Sequence, residues 1–260
     1  MSNITDSLDN LIPRDCETYN VGHDATLLQA GRAIFDELEQ NGKIVATHNF
    51  RGIDYRWAFG ISGDDSTEYI ANNLSPELAE VFMRDVIGYL GLADLSVNEI
   101  KLERLGPNSY ADDIHLKRSR FGEIISTKPD DMPSDYDIFY SQLHHTDKTF
   151  QLNNYKLLVY LNDIEEQQGG LIVIDPILSP RWINDKCVLI EEGVTIPADQ
   201  LSEKEITGPA GTTASFSSHI LHRANLPKHG FRECLHLSFH LPGEQYVHPP
   251  YSRNHFINKQ

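Results

Sequence analysis

The chain has 260 residues, enough to bury a substantial core in one domain without disulfide staples. Its 22 Lys plus Arg against 38 Asp plus Glu leave a net charge of −16, a field that repels phosphate backbones and anionic bilayers and argues against nucleic acid or membrane as partners. Cys16, Cys187 and Cys234 lie far apart without Cys-x-x-Cys spacing, no leader-like or membrane-length apolar run is present, and the expectation is a cytoplasmic protein acting on a small molecule, with 12 histidines to explain.

Residues 1–20 are polar and irregular and predict a loose arm. From Thr26, the apolar positions Leu27, Leu28, Ala30, Ala33, Ile34 and Leu38 recur mostly at three- and four-residue intervals, and Asn41-Gly42 supplies a stop. That pattern predicts an amphipathic helix. Lys43 to Thr47 reads as a strand. Ser75 as cap and Pro76 in the first turn open a second helix, with Leu78, Val81, Phe82, Val86, Ile87 and Leu90 on its apolar face, ending at Gly91. The stretch 21–95 is thus expected to be a helical N-terminal part.

After Gly91 the texture changes to short β-branched and aromatic runs punctuated by Gly, Pro, Asn and Asp. The predicted strands are Val97 to Leu105, His115 to Ile125, Tyr155 to Leu161, Leu171 to Ile174, Lys186 to Ile190, Thr212 to Phe216 and Cys234 to Phe239. A strand series without clear intervening helices implies a β-sandwich or barrel over residues 96–242, with the N-terminal helices packed on one sheet and a C-terminal tail over 243–260. No repeat or linker divides the chain, so one domain over residues 1–260 is expected. Pro129 to Asp137 reads as an acidic loop.

That loop leads to Tyr140-Ser141-Gln142-Leu143-His144-His145-Thr146-Asp147. On a strand, residues two apart project to one face, so His145 and Asp147 can converge on a single cation. With His144 instead, the residue two along is Thr146, a poor metal ligand. A second segment, Gly211 to Asn225, carries a glycine turn into a strand, then His219 and His222, and is followed by Arg232. Two histidines and one carboxylate with open coordination positions are the arrangement of non-haem Fe(II) oxygenases, and an arginine offers a carboxylate a planar, permanently charged fork.

Over roughly Tyr140 to Leu241 the chain resembles the phytanoyl-CoA dioxygenase-like family of Fe(II)/2-oxoglutarate oxygenases. The likeness includes the strand Tyr155 to Asp163 and the glycine pair of Gly169-Gly170-Leu171-Ile172-Val173-Ile174. It implies a fold that is mainly β with flanking helices, around a double-stranded β-helix (jelly roll, cupin-like) core. It implies that His145, Asp147 and His222 ligate Fe(II) and that Arg232 holds the distal carboxylate of 2-oxoglutarate. His222, not His219, matches the family pattern.

With O2 as second co-substrate, the implied reaction is oxidation of a C–H bond with release of succinate and CO2. Asp147 argues against halogenation, since similar halogenases carry a small residue there and bind chloride. The chain departs from the family after the glycine pair, where Asp175-Pro176-Ile177-Leu178-Ser179-Pro180 replaces a Pro-Gly-Ser-His turn. The substrate of the best-known members therefore does not carry over. A small polar metabolite, a free amino acid (a basic one included) or a natural-product intermediate, is expected, with Gln142, Lys148 and Arg118 as substrate contacts. A cupin-like metal-binding protein or isomerase would share the histidines without needing Arg232. His236 and His240 read as core or rim histidines. His248 and His255 fall in a tail that is solvated, a lid, or a subunit contact of a homodimer.

Overall fold

Two periodicities organise the chain: a helical one near the N-terminus and a period of two through the remainder. A computed structural model describes residues 19–41, 45–50, 53–62, 74–90, 97–106, 115–118, 124–127, 154–174, 182–183, 187–191, 194–197, 202–217, 220–225 and 227–240. Strand β1 (Tyr19–His23) leads into helix α1 (Ala25–Gln40), followed by β2 (Val45–Phe50) and β3 (Ile53–Ser62). Helix α2 (Pro76–Val81) continues as a π-helical stretch (Phe82–Gly88). Then come β4 (Val97–Leu105), β5 (His115–Arg118), β6 (Ile124–Thr127), β7 (Asn154–Tyr160), β8 (Leu171–Ile174), β9 (Trp182–Ile183), β10 (Cys187–Glu191) and β11 (Val194–Pro197). The last strands are β12 (Glu203–Ile206), β13 (Thr212–Ser217), β14 (His222–Ala224) and β15 (Arg232–His240). The described chain is therefore mostly β with few helices.

A seven-stranded sheet has the order β1-β13-β7-β15-β4-β3-β2, and a three-stranded sheet the order β12-β8-β14. A second three-stranded sheet, β11-β10-β9, and the hairpin β5-β6 complete the described strands. The connections alternate between the first two sheets: β7 to β8 leaves the large one, β12 to β13 returns, β13 to β14 leaves again and β14 to β15 returns. Their pairings are antiparallel throughout.

Side chains two apart on a strand share a face. In β7 this sends Tyr155, Leu157 and Val159 to a cluster with the helices, and Leu158 and Tyr160 to a separate cluster with the three-stranded sheet. Leu235 and Leu237 of β15 and Leu102 of β4 join the first; Cys234 joins the second, with Ala214 and Phe216 of β13, Leu171 and Val173 of β8, and Ile206 of β12. Among the described residues the central strands of the large sheet thus carry apolar side chains on both faces, one against the helices and one against the small sheet.

Helix α1 buries Leu27, Ala30, Gly31, Ile34, Phe35 and Leu38, one stripe at three- and four-residue spacing. Burial of each large apolar side chain here contributes about 1.5–3 kcal/mol. Gly31 lets the helix approach: a Cβ there would lie 2.7 Å from Leu161 Cδ2 and 3.6 Å from Leu235 Cβ. Asp24 organises the helix start. Its Oδ1 accepts from Leu27 N at 2.9 Å, its own N donates to Gly211 O at 2.9 Å, and Tyr89 donates to its Oδ2 at 2.8 Å.

The structure corrects several expectations. The loose arm over residues 1–20 does not extend to its end, because Tyr19 and Asn20 pair with Phe216 and Ser215 of β13. The part over residues 21–95 is not purely helical: β3 pairs with β4 and carries β2, extending the large sheet. The second helix widens after Val81, with Tyr89 N donating to Arg84 O five residues back at 3.0 Å, which keeps Phe82, Val86, Ile87 and Leu90 all in the helix-side core. The single strand His115 to Ile125 is two strands paired with each other, Arg118 opposite Ile124.

Candidate functional site

His222 opens β14 and stands opposite Val173 of β8. Directly paired residues of antiparallel strands share a face, and Val173 belongs to the core between the two sheets, so His222 faces that interior too. It is 3% exposed, and its ring lies 4.7 Å from that of Phe216, tilted by 60°. Nδ1 is 2.8 Å from Ile220 O. A carbonyl only accepts, so Nδ1 is the donor in this contact. A backbone carbonyl holding one imidazole nitrogen is the usual support of a metal-ligating histidine.

Arg232 begins β15 on the face it shares with Cys234, also toward the interior. It is 5% exposed. Nη1 donates to Gly169 O at 2.7 Å, and Nη2 donates to Glu103 Oε1 at 2.8 Å. Glu103, 7% exposed, is paired with Cys234 in the β15–β4 ladder and accepts from its Sγ at 3.2 Å. Register orders these groups along the interior. Phe216, against His222, is level with Lys156 and Ser238; Ala214 is level with Leu158 and His236; Tyr160 is level with Cys234 and Glu103; Arg232 lies one row further, opposite Leu105. His236 is thus half-buried on the interior face, in the row between the His222 and Glu103 levels.

At the Arg232 end the two sheets are joined by polar contacts. Tyr160 Oη donates to Ile206 O and accepts from Leu171 N, both at 2.9 Å, bridging paired residues of β12 and β8. Complete burial pushes the Tyr160 phenol up to about 12, while the hydrogen bond from Leu171 N–H opposes the rise. Glu205 holds the turn before β8 by accepting from Gly170 N at 3.0 Å, Gln167 N at 3.1 Å and Asn225 Nδ2 at 2.9 Å. Gly170 has no room for a side chain: a Cβ would lie 2.4 Å from Ile206 O. The glycine pair noted in the sequence therefore sets the path that brings Gly169 O to Arg232.

Of the residues singled out from sequence, His222 and Arg232 occupy one interior face pair. His145, Asp147, Gln142 and Lys148, with the alternatives His144 and His219, lie outside the described residues, as do His248 and His255. Arg118 ends β5. Among the described residues no group of three or more His, Cys, Asp or Glu side chains is placed to hold a metal ion. Glu103 and Tyr160 were missed. In Glu99, Lys101 and Glu103 the charged residues alternate with Ile100 and Leu102, a pattern that reads as a solvated face, whereas Glu103 is buried against Arg232 and Cys234. The Tyr160 bridge carries no local signal, because both of its partners lie on other strands.

The donor set suits the groups implied by the sequence. His222 offers an imidazole oriented through Nδ1, and Arg232 a buried guanidinium on the same interior. No helix among the described residues is long and apolar enough to cross a membrane.

No family model matches the chain, and no curated protein does. Among solved structures the chain is similar to AviO1 from Streptomyces viridochromogenes Tue57, at a TM-score of 0.47 and 8% identity over 94% of this chain and 98% of that one. It is similar to SnoK, the non-heme alpha ketoglutarate dependent carbocyclase from nogalamycin biosynthesis, at 0.48 and 13% over 93% and 86%. It is also similar to EctD from S. alaskensis with bound Fe, at 0.46 and 15% over 93% and 81%.

Proposed function

We propose that the protein is an Fe(II)- and 2-oxoglutarate-dependent oxygenase built on a double-stranded β-helix, which hydroxylates an unactivated C–H bond of a small polar metabolite. A free amino acid, a basic one included, or a natural-product intermediate is the substrate class. His145, Asp147 and His222 are the metal ligands in this reading, Arg232 anchors the far carboxylate of 2-oxoglutarate, and Gln142, Lys148 and Arg118 contact substrate. The observation that carries it is His222, buried between the sheets with Nδ1 held by Ile220 O. The exchange of β7, β8, β12, β13, β14 and β15 between two facing sheets supports the fold assignment.

When bound, the iron and its oxo-acid partner supply the activation of O2 that converts a C–H bond to an alcohol, with succinate and CO2 as by-products. The chain's own part is positioning. Ile220 O fixes the tautomer of His222, and Phe216 fixes its ring plane. Gly169 O and Glu103 hold the Arg232 fork in one orientation. Leu158, Val173, Ala214 and Ile220 line the same interior and keep it poor in water, which strengthens each charge contact inside.

One observation favours a second reading, a cupin-like metal-binding protein or isomerase that does not use 2-oxoglutarate. Arg232 already has a carboxylate partner in Glu103. Anaerobic calorimetry with Fe(II) separates the two, since only the oxygenase binds 2-oxoglutarate. The decisive experiment incubates the protein with Fe(II), 2-oxoglutarate, ascorbate and a metabolite extract. Succinate release matched to a product heavier by one oxygen is expected. Coupled turnover only with acyl-CoA would overturn the substrate class, and absence of both binding and succinate would overturn the reaction.

A further inference from the structure

We propose that Glu103 is a built-in competitor for Arg232, making capture of the acid co-substrate conditional on its metal-binding end. The inference rests on the reading of Arg232 as the carboxylate anchor. Glu103 Oε1 takes Arg232 Nη2 at 2.8 Å and Cys234 Sγ at 3.2 Å, while Arg232 Nη1 is committed to Gly169 O at 2.7 Å. The side chains of the pair are 6% and 9% exposed. Cys234 and Glu103 face each other across β15 and β4, so Glu103 is anchored one row from Arg232 on the same face.

The Arg232–Glu103 pair has no net charge. A second carboxylate arriving on this guanidinium meets a cation already balanced and a like charge close by, in an interior that screens charge poorly. An acid gripped at Arg232 alone is therefore held weakly. One that also engages the metal near His222, as the keto acid end of 2-oxoglutarate does, makes up the deficit. The same logic speeds departure of succinate, which lacks the keto group. Glu103 in this scheme sets ligand selectivity at the Arg232 end without touching the metal.

The test is anaerobic calorimetry on the full-length, Fe(II)-loaded protein with 2-oxoglutarate and, separately, with glutarate, which has both carboxylates but no keto group. Glu103→Gln is expected to tighten glutarate by about tenfold or more, to tighten 2-oxoglutarate as well, and to narrow the preference between them. Unchanged affinities for both acids overturn the proposal, and so do weakened ones, which would make Glu103 a mere support of Arg232. If neither the natural protein nor the variant binds either acid, the anchor reading of Arg232 fails first and this inference with it. A thermal melt monitors folding. Should Glu103→Gln not fold, Glu103→Asp keeps the balancing charge but withdraws it by one methylene. A smaller tightening in the same direction is then expected, and no tightening refutes the idea.

Discussion

Strands β7, β15 and β4 present two faces, and among the described residues each face buries one glutamate. On the helix side Glu233, 1% exposed, accepts from Arg32 and Arg104, whose side chains are 40% and 20% exposed. Arg104 also pairs with Glu39, and its guanidinium lies 5.1 Å above the Phe35 ring. On the interior side Glu103 pairs with Arg232, which has almost no contact with water. The first carboxylate is held by cations whose heads still reach solvent, the ordinary arrangement at the rim of a core. The second sits in a sealed pair, where any third charge acts strongly. One set of strands, read with a period of two, therefore carries a stabilising face and a chemically responsive face.

The sharpest way to break this comparison is to disarm the responsive face alone. His222→Ala and Asp147→Ala are each expected to abolish bound iron and succinate release while leaving the melting temperature within a few degrees of the parent, as followed by metal analysis and circular dichroism. Retained turnover in either variant would refute the ligand assignment. Cutting the stabilising face has the opposite signature. Leu235→Ala, at a site with no exposure in the helix-side core, should cost about 2–5 kcal/mol by urea denaturation with iron per folded protein unchanged.

Tyr160 sharpens the comparison further, because it stabilises from the responsive side. Tyr160→Phe leaves Ile206 O and Leu171 N without their partner and should cost about 1–3 kcal/mol at neutral pH. The pH dependence has a definite sign. Since the folded phenol titrates at about 12 against 10.0 for the ordinary group, its contribution is intact below pH 10 and is lost as pH rises through 12. Denaturant titrations should record an alkaline loss of about 3 kcal/mol in the parent protein, absent from Tyr160→Phe. The smallest effect is expected at Arg223→Gln, which breaks a half-exposed pair with Glu203 at 2.6 Å and should cost less than about 1 kcal/mol.

The parts legible in sequence are those whose signal is local. Leu27, Ala30, Ile34 and Leu38 announced α1, and the strands Val97–Leu105 and Leu171–Ile174 have the bounds their residues predicted. The histidine after β13 was visible because a glycine turn, a strand and an arginine flank it in order. Strands whose reason is a distant partner were not legible. Tyr19–His23 is a strand because β13 offers it an open edge, and Glu203–Ile206 because β8 does, although Glu203, Lys204 and Glu205 carry no β-forming pattern of their own. Glu103 belongs to the same class. Its role depends on the β15–β4 register, which local sequence does not encode.

The Tyr160 bridge and the Arg232 contact with Gly169 lie at the same end of the sandwich, while His222 is held by contacts at the other. These ties fasten the two sheets to each other at that end. The Leu171 amide, locked on a buried phenol, is then expected to exchange with solvent hydrogen only when that end of the two sheets opens.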